Sequence, residues 1–183
     1  MEEKSDVDFN PAILAAIRER IERLHTKHHR ILLVRLDIRL PVQIDNYDEL
    51  AISQQFSAFM ARLMADKRQQ GDCAYVWCRE QNISIHPHWH ILIIADGNRF
   101  LSGYGFLETA RRIGHNIWQT SMLGLANLVI PVRSSEYGSG GTMLTTHATA
   151  NDFDTAFKWV NYIAKNYSKS APSGYRTWGK SEI

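Results

Sequence analysis

The stretch IHPHWHILII, residues 85–94, predicts a buried β-strand that begins among histidines. Proline is tolerated at the first residues of a strand, and the aliphatic run that follows Pro87 fits a strand interior. Because alternate side chains of a strand lie on one face, His88 and His90 point the same way, about 6 to 7 Å apart. Two neutral imidazoles on one face can chelate a divalent ion if a third ligand, usually a carboxylate, comes from elsewhere. The stretch therefore predicts part of a metal site.

The composition predicts one soluble domain. The chain has 183 residues, of which 44% are hydrophobic and 10% aromatic, which is enough for one well-buried core. Its formal net charge is only +2, so any nucleic-acid binding must come from local basic clusters. Cys73 and Cys78 form no CxxC motif, and no disulfide is expected. Without a membrane-length apolar run or a signal-like start, we expect a cytoplasmic protein with no membrane partner.

Four helices are predicted by apolar residues at helical spacing. The first starts at Asn10-Pro11, where a capping residue precedes proline, and continues to about His29. The second ends before Gly71, and the third is stopped by Gly124. The last helix spans 152–169.

Two further strands are predicted before the histidine strand. Residues 31–40 alternate so that one face is apolar while Arg35, Asp37 and Arg39 lie on the other. Residues 73–80 follow the second helix and immediately precede the histidine strand. They are therefore its natural antiparallel neighbour.

The remaining segments set the predicted boundaries. Residues 128–132 are a short apolar run that suits an edge strand, because a proline interrupts it, and 134–151 predict a loop or frayed hairpin. We therefore divide the chain into an N-terminal helix (1–30), a central domain (31–169) and a basic tail that contains Ser and Gly (170–183).

The third metal ligand is open between three residues. Glu80 ends its strand close to where His88 begins the next, so a short hairpin can place the carboxylate beside the imidazoles. Asp37 and His86 are the alternatives. His86 shares the histidine face but precedes Pro87, which favours an indirect role or a contact with DNA.

Tyr162 is the candidate nucleophile. On a helical projection it lies opposite the apolar stripe of the last helix, with Lys158 and Lys165 around it. Nearby cations favour phenolate over phenol and stabilise charge on an attacked phosphate, as covalent attack on a phosphodiester requires. Tyr167 falls on the apolar stripe and is better explained by packing, although it remains a second candidate.

The order of these motifs resembles that of the HUH endonuclease superfamily. The shared features are the histidine strand and a later Tyr-x-x-Lys, here YIAK at 162–165. More narrowly, PHWH at 87–90, VWCRE at 76–80 and RTWG at 176–179 look like inovirus-type and prophage rolling-circle replication initiators. The resemblance implies an α+β fold: a central antiparallel sheet with flanking helices on the ferredoxin-like (split βαβ) plan. It also implies helices on one face of the sheet and the metal site on the other.

The resemblance further implies a reaction. His88, His90 and Glu80 would hold Mg²⁺ or Mn²⁺, Tyr162 would attack the scissile phosphate, and Lys165 would neutralise charge there. The expected products are a 5′-phosphotyrosine link and a free 3′-OH, formed by a single catalytic tyrosine. The implied partners are single-stranded or hairpin origin DNA, a host helicase and a polymerase.

DNA contacts are expected from basic and aromatic side chains on the side of the site. The candidates are Arg35, Arg39, Arg79, Lys158, Lys169, Arg176 and Trp178. Two other functions remain open at this point. One is a non-catalytic nucleic-acid-binding module, and the other is a metal-dependent nuclease that uses water as the nucleophile.

Overall fold

The computed structural model describes residues 8–40, 48–81, 86–119, 128–132, 141–166, 169 and 171–182. These residues form four α-helices, six β-strands and one 3₁₀ turn. In chain order they are α1 (Pro11–Lys27), β1 (Arg30–Arg39), α2 (Glu49–Arg68), β2 (Cys73–Glu80), β3 (His88–Asp96), α3 (Tyr104–Trp118), β4 (Val129–Pro131), β5 (Thr142–Thr145), α4 (Ala150–Asn161), the 3₁₀ turn (Tyr162–Ala164) and β6 (Trp178–Lys180).

The six strands form one antiparallel sheet. Its order is β4-β1-β3-β2-β6, and β5 pairs with β1 as well. The segment β1-α2-β2-β3-α3-β4, with its four strands in the order 4-1-3-2, is the split βαβ arrangement. The predicted fold class is confirmed, and β4 is the edge strand that its proline indicated.

Apolar residues cover both faces of the sheet. On one face, Leu36 and Ile38 of β1 join the core formed with α2 and α3. On the other, Leu92 and Ile94 join a second core formed with α1 and α4. Each fully buried aliphatic side chain contributes about 1.5–3 kcal/mol, so both faces need a cover. Helices therefore lie on both faces and not on one, and the histidine end of the second face remains for the site.

The last helix is shorter than predicted. It was expected over 152–169, but α4 ends at Asn161 and a 3₁₀ turn follows. The cause is backbone pairing with the N-terminal segment: Asn10 N donates to Ala164 O at 2.7 Å, and Phe9 forms a bridge with Lys165. These contacts replace the helical hydrogen bonds of the last predicted turns. Tyr162 therefore lies where the α-helix changes to a 3₁₀ turn.

Two more strands complete the sheet. β5 falls within the segment 134–151, predicted as a loop or frayed hairpin, and pairs with the first half of β1. Gly141 leads into it at φ +92°, where an added Cβ would lie 2.5 Å from Leu33 O, so only glycine suits this approach. β6 pairs with β2. α1 and β6, which lie in the segments 1–30 and 170–183 predicted to flank the 31–169 domain, thus pack on the sheet and extend it.

The two cysteines are free and buried on opposite faces of the sheet, because strand side chains alternate and their positions differ by five. Cys73 belongs to the core under α2, and Cys78 to the core under α1. Burial raises the pKa of each thiol to about 12, so neither is a reactive thiolate at neutral pH. No helix in the described ranges has the length and apolarity required to cross a bilayer.

Candidate active site

Three neighbouring strands place the site residues on one face by their register. Asp37 of β1 lies opposite His90 of β3, and Glu80 of β2 lies opposite His88. Directly opposed residues in an antiparallel pair have side chains close enough to interact. The site thus lies on the same face of the sheet as Leu92, at the polar end of that face.

Among the described residues, the two histidines and Glu80 form a cluster that could hold a metal ion. Their ligand atoms all lie within 4.8 Å of one another. Glu80 Oε2 is 2.9 Å from His90 Nε2 and 3.2 Å from His88 Nε2. Ligand atoms about 2.1 Å from one ion and about 90° apart are themselves about 3.0 Å apart, so this spacing fits a small divalent cation.

Asp37 lies behind His90 and not among the ligands. His90 Nδ1 is 2.6 Å from Asp37 Oδ1, where the ring N–H donates to the carboxylate. That bond places the lone pair of a neutral imidazole on Nε2, the atom that faces Glu80. His86, the other alternative ligand, is absent from the cluster. The geometry favours Glu80 as the third ligand.

Substitution of Asp37 by asparagine is expected to weaken Mn²⁺ binding about 10- to 100-fold, because His90 loses the carboxylate that orients its ring. Isothermal titration with MnCl₂ measures the change. Asp72→Asn is the matched control, since Asp72 also pairs with a histidine, His28 at 2.8 Å, outside the site. Equal affinity in wild type and Asp37→Asn would show that Asp37 does not support a metal ligand.

Charge in the cluster is balanced by Lys169. Its ammonium lies 2.5 Å from Glu80 Oε1, and both side chains are buried. Burial alone would raise the pKa of Glu80, but His88, His90 and Lys169 together hold it well below its ordinary value. Burial would likewise lower the pKa of His90, but Asp37 and Glu80 outweigh burial and raise it. Asp37 and Glu80 therefore favour the protonated form of His90. A metal ion bound at this histidine would have to displace the added proton.

Tyr162 faces the histidines from the end of α4. Its ring centroid lies 6.0 Å from that of His90 in an edge-on arrangement, and the residue is 40% exposed. Lys165 Nζ lies 3.8 Å from the ring centroid and the Arg35 guanidinium 5.1 Å from it. The outward position predicted for Tyr162 is confirmed. The periodicity did not show how the helix approaches the histidines, and the 3₁₀ turn supplies that approach.

Arg35 is a buried cation in the site. It is 5% exposed, and its Nη1 donates to Trp159 O at 2.9 Å. Burial lowers its pKa, although Asp37, Tyr162 and Glu80 favour the charged form. Trp159, whose ring lies 5.7 Å from the guanidinium, is a site residue that the sequence reasoning did not select. Its position three residues before Tyr162, on the same helix face, was the available signal.

The site residues line an open pocket of about 450 Å³. Arg35, Arg39 and Lys158, three of the predicted DNA contacts, are among its lining residues, together with the cluster and Tyr162. Lys169 instead pairs with Glu80. Tyr167 lies outside the described residues.

Three predicted DNA contacts lie away from this pocket. Arg79 is on the opposite face of the sheet, paired with Glu49 and 2% exposed. Strand alternation requires this, since it places Arg79 opposite to its neighbour Glu80. Trp178 packs against the core under α1, and Arg176 lines a separate pocket.

Fold and site together define an α+β domain on the split βαβ plan with a candidate divalent-metal cluster on its sheet. The chain belongs to the YagK/YfjJ C-terminal domain family, whose model matches residues 2–181. A comparison with curated proteins finds no significant match. Solved structures that resemble the chain include the catalytic domain of the Adeno Associated Virus type 5 Rep protein, at 9% identity and a TM-score of 0.40, over 63% of this chain and 75% of that one. The similarity is reported for the fold only, and the activity of that protein is not assigned to this chain.

Proposed function

We propose that the protein nicks and rejoins single-stranded DNA through a covalent bond to Tyr162. The observation that carries the proposal is the placement of Tyr162 edge-on to His90, with Lys165 and Arg35 against its ring. A nucleophile, two cations beside it and a candidate metal-ligand cluster are the components that phosphodiester attack needs. Mg²⁺ or Mn²⁺ held by Glu80 and the two histidines would polarise the scissile phosphate as a Lewis acid.

The proposed step exchanges one phosphodiester for another. The Tyr162 oxygen forms a bond to phosphorus and loses its proton, while the bond from phosphorus to the 3′ oxygen breaks and that oxygen takes up a proton. The products are a 5′-phosphotyrosine and a free 3′-OH. Because one diester replaces another and no bond is hydrolysed, the reverse attack by a 3′-OH restores the strand and releases the tyrosine.

Two cations support the attack from the protein side. Lys165 and Arg35 lie against the Tyr162 ring, 3.8 and 5.1 Å from its centroid. The same charges neutralise part of the negative charge that develops on the attacked phosphate. Arg35 has little freedom to move, since it is buried and bonded to the backbone of Trp159. A fixed cation of this kind needs little reorganisation during the reaction.

The biological role that fits this chemistry is initiation of rolling-circle replication. A nick that leaves a 3′-OH supplies a primer, and the retained phosphotyrosine allows the displaced strand to be closed. The substrate would be single-stranded or hairpin origin DNA in the cytoplasm of a bacterial host, where a host helicase and polymerase would unwind and extend the strand.

Incubation of the protein with end-labelled single-stranded oligonucleotides from its own replicon tests this function. With Mn²⁺ we expect a band on a denaturing gel in which the protein carries the 3′ portion of the oligonucleotide, and EDTA should remove it. DNA cut without a protein adduct would favour a nuclease that uses water. DNA bound but never cut would favour a binding module.

A further inference from the structure

A second pocket, of about 410 Å³, lies on the face of the sheet opposite Tyr162. Its walls come from Tyr75, Trp77 and Arg79 of β2, which alternate onto one face, and from the tail residues Tyr175 and Arg176. The end of β2 thus serves two pockets, since Glu80 points to the candidate active site and its neighbour Arg79 to this one.

The aromatic wall is held in place by stacked rings beneath it. Phe56 stacks on Trp89 at 4.5 Å between centroids and meets Trp77 edge-on at 5.1 Å. Gly179 of β6 lies against the Trp77 indole so closely that an added Cβ would come within 2.7 Å of it. The indole is therefore confined from two sides, and its orientation does not depend on a ligand.

Arg79 is a buried cation in the wall of this pocket. It is 2% exposed, and its contacts with Glu49 and Gln81 all use one nitrogen, Nη2. Its Nε and Nη1 make no hydrogen bond with any residue that the structure describes. These two nitrogens are themselves fully buried, so Arg79 helps to fix the wall of the pocket and offers no open donor to a ligand.

The charge of the pocket favours an anionic ligand. Arg176 and Lys180 are exposed lining residues, and no aspartate or glutamate is among the described residues that line it. Planar aromatic walls beside cations suit a nucleotide, whose base stacks on aromatic rings while its phosphate pairs with basic side chains.

We propose that this pocket binds one unpaired nucleotide of the single-stranded DNA substrate, away from the nucleotides that enter the Tyr162 pocket. The base would stack between Trp77 and Tyr175, and the phosphate would contact Arg176. This inference rests on the proposed function for its substrate class. Its consequence is a longer DNA footprint than the nicking site alone requires.

Binding without cleavage tests the pocket separately from the reaction. We would measure fluorescence anisotropy of labelled single-stranded oligonucleotides with the Tyr162→Phe protein in EDTA, and compare it with the same protein carrying Tyr175→Ala or Arg176→Ala. Each is expected to weaken binding at least about fivefold, the lower range for loss of one stacked base or its phosphate contact. Arg112→Ala removes an exposed cation outside both pockets and should leave affinity unchanged.

A second measurement locates the base directly. Oligonucleotides with 5-iododeoxyuridine at successive positions should crosslink to the peptide that contains Trp77 or Tyr175 from one position only. Crosslinks confined to the peptides of the Tyr162 pocket, or full affinity in both alanine variants, would overturn the proposal. Equal affinity for thymidine monophosphate and for the oligonucleotide would also overturn it, since the pocket would then take a free nucleotide. Neither the anisotropy nor the crosslinking measurement requires DNA cleavage. A protein that binds DNA through this pocket but does not nick it would therefore be recognised as such.

Discussion

Replacement of Tyr162 by phenylalanine is expected to abolish the covalent protein–DNA adduct, with a loss of at least about a thousandfold in nicking rate. The variant removes the one oxygen that would bond to phosphorus. The ring contacts with Lys165, Arg35 and His90 do not depend on that oxygen, so folding and DNA affinity should change little. Denaturing gels measure the adduct, and anisotropy on the same samples measures binding.

Two further tyrosine variants make this result specific. Tyr104→Phe alters another exposed tyrosine, 55% accessible and on α3, and should keep full activity. Tyr167→Phe tests the second candidate nucleophile. An adduct that persists in Tyr162→Phe but disappears in Tyr167→Phe would transfer the nucleophilic role to Tyr167. An adduct that persists in both would refute a tyrosine mechanism at this helix end.

Substitution of both His88 and His90 by alanine is expected to lower Mn²⁺ affinity at least about a hundredfold. Loss of a residue that merely orients a ligand typically costs 10- to 100-fold, and this variant removes two of the three ligands themselves. Isothermal titration measures the affinity without any DNA. Nicking should fall in parallel if the ion polarises the phosphate.

The control for the histidine variant is His147→Ala, which removes an exposed imidazole just after β5 and away from the cluster. A thermal unfolding curve checks that the double variant remains folded, because His90 is buried. Unchanged Mn²⁺ affinity in the folded double variant would place any metal elsewhere. Unchanged nicking with lost Mn²⁺ binding would separate the cluster from the reaction.

Much of the site could be predicted because strand periodicity is local. Alternation in β3 places His88 and His90 on one face whatever the rest of the chain does. Glu80 ends the strand that precedes β3, so the order of the strands along the chain makes it a candidate third ligand. Helical periodicity likewise separates Tyr162 from the apolar stripe of α4. Each of these statements depends on neighbours within a few residues.

Other features depend on contacts between distant segments. The last helix was expected to continue to Lys169, but pairing with residues 8–10 ends it at Asn161. Lys169, a predicted DNA contact, neutralises Glu80, a partner 89 residues away. No local pattern encodes either contact, because each arises only when the chain ends pack against the sheet.

The amino-acid pattern alone thus specifies the antiparallel α+β sheet, the histidine face and the outward tyrosine, since side-chain period follows from backbone geometry. Tertiary packing decides which third ligand approaches the histidines, where the last helix ends and how Tyr162 meets His90. It also creates the second pocket, in which Arg79 and Trp77 of β2 meet Tyr175 of the tail. Each of these outcomes depends on contacts between residues that are far apart in the sequence. Buried polar groups must find partners, and sequence periodicity does not show which distant partners they find.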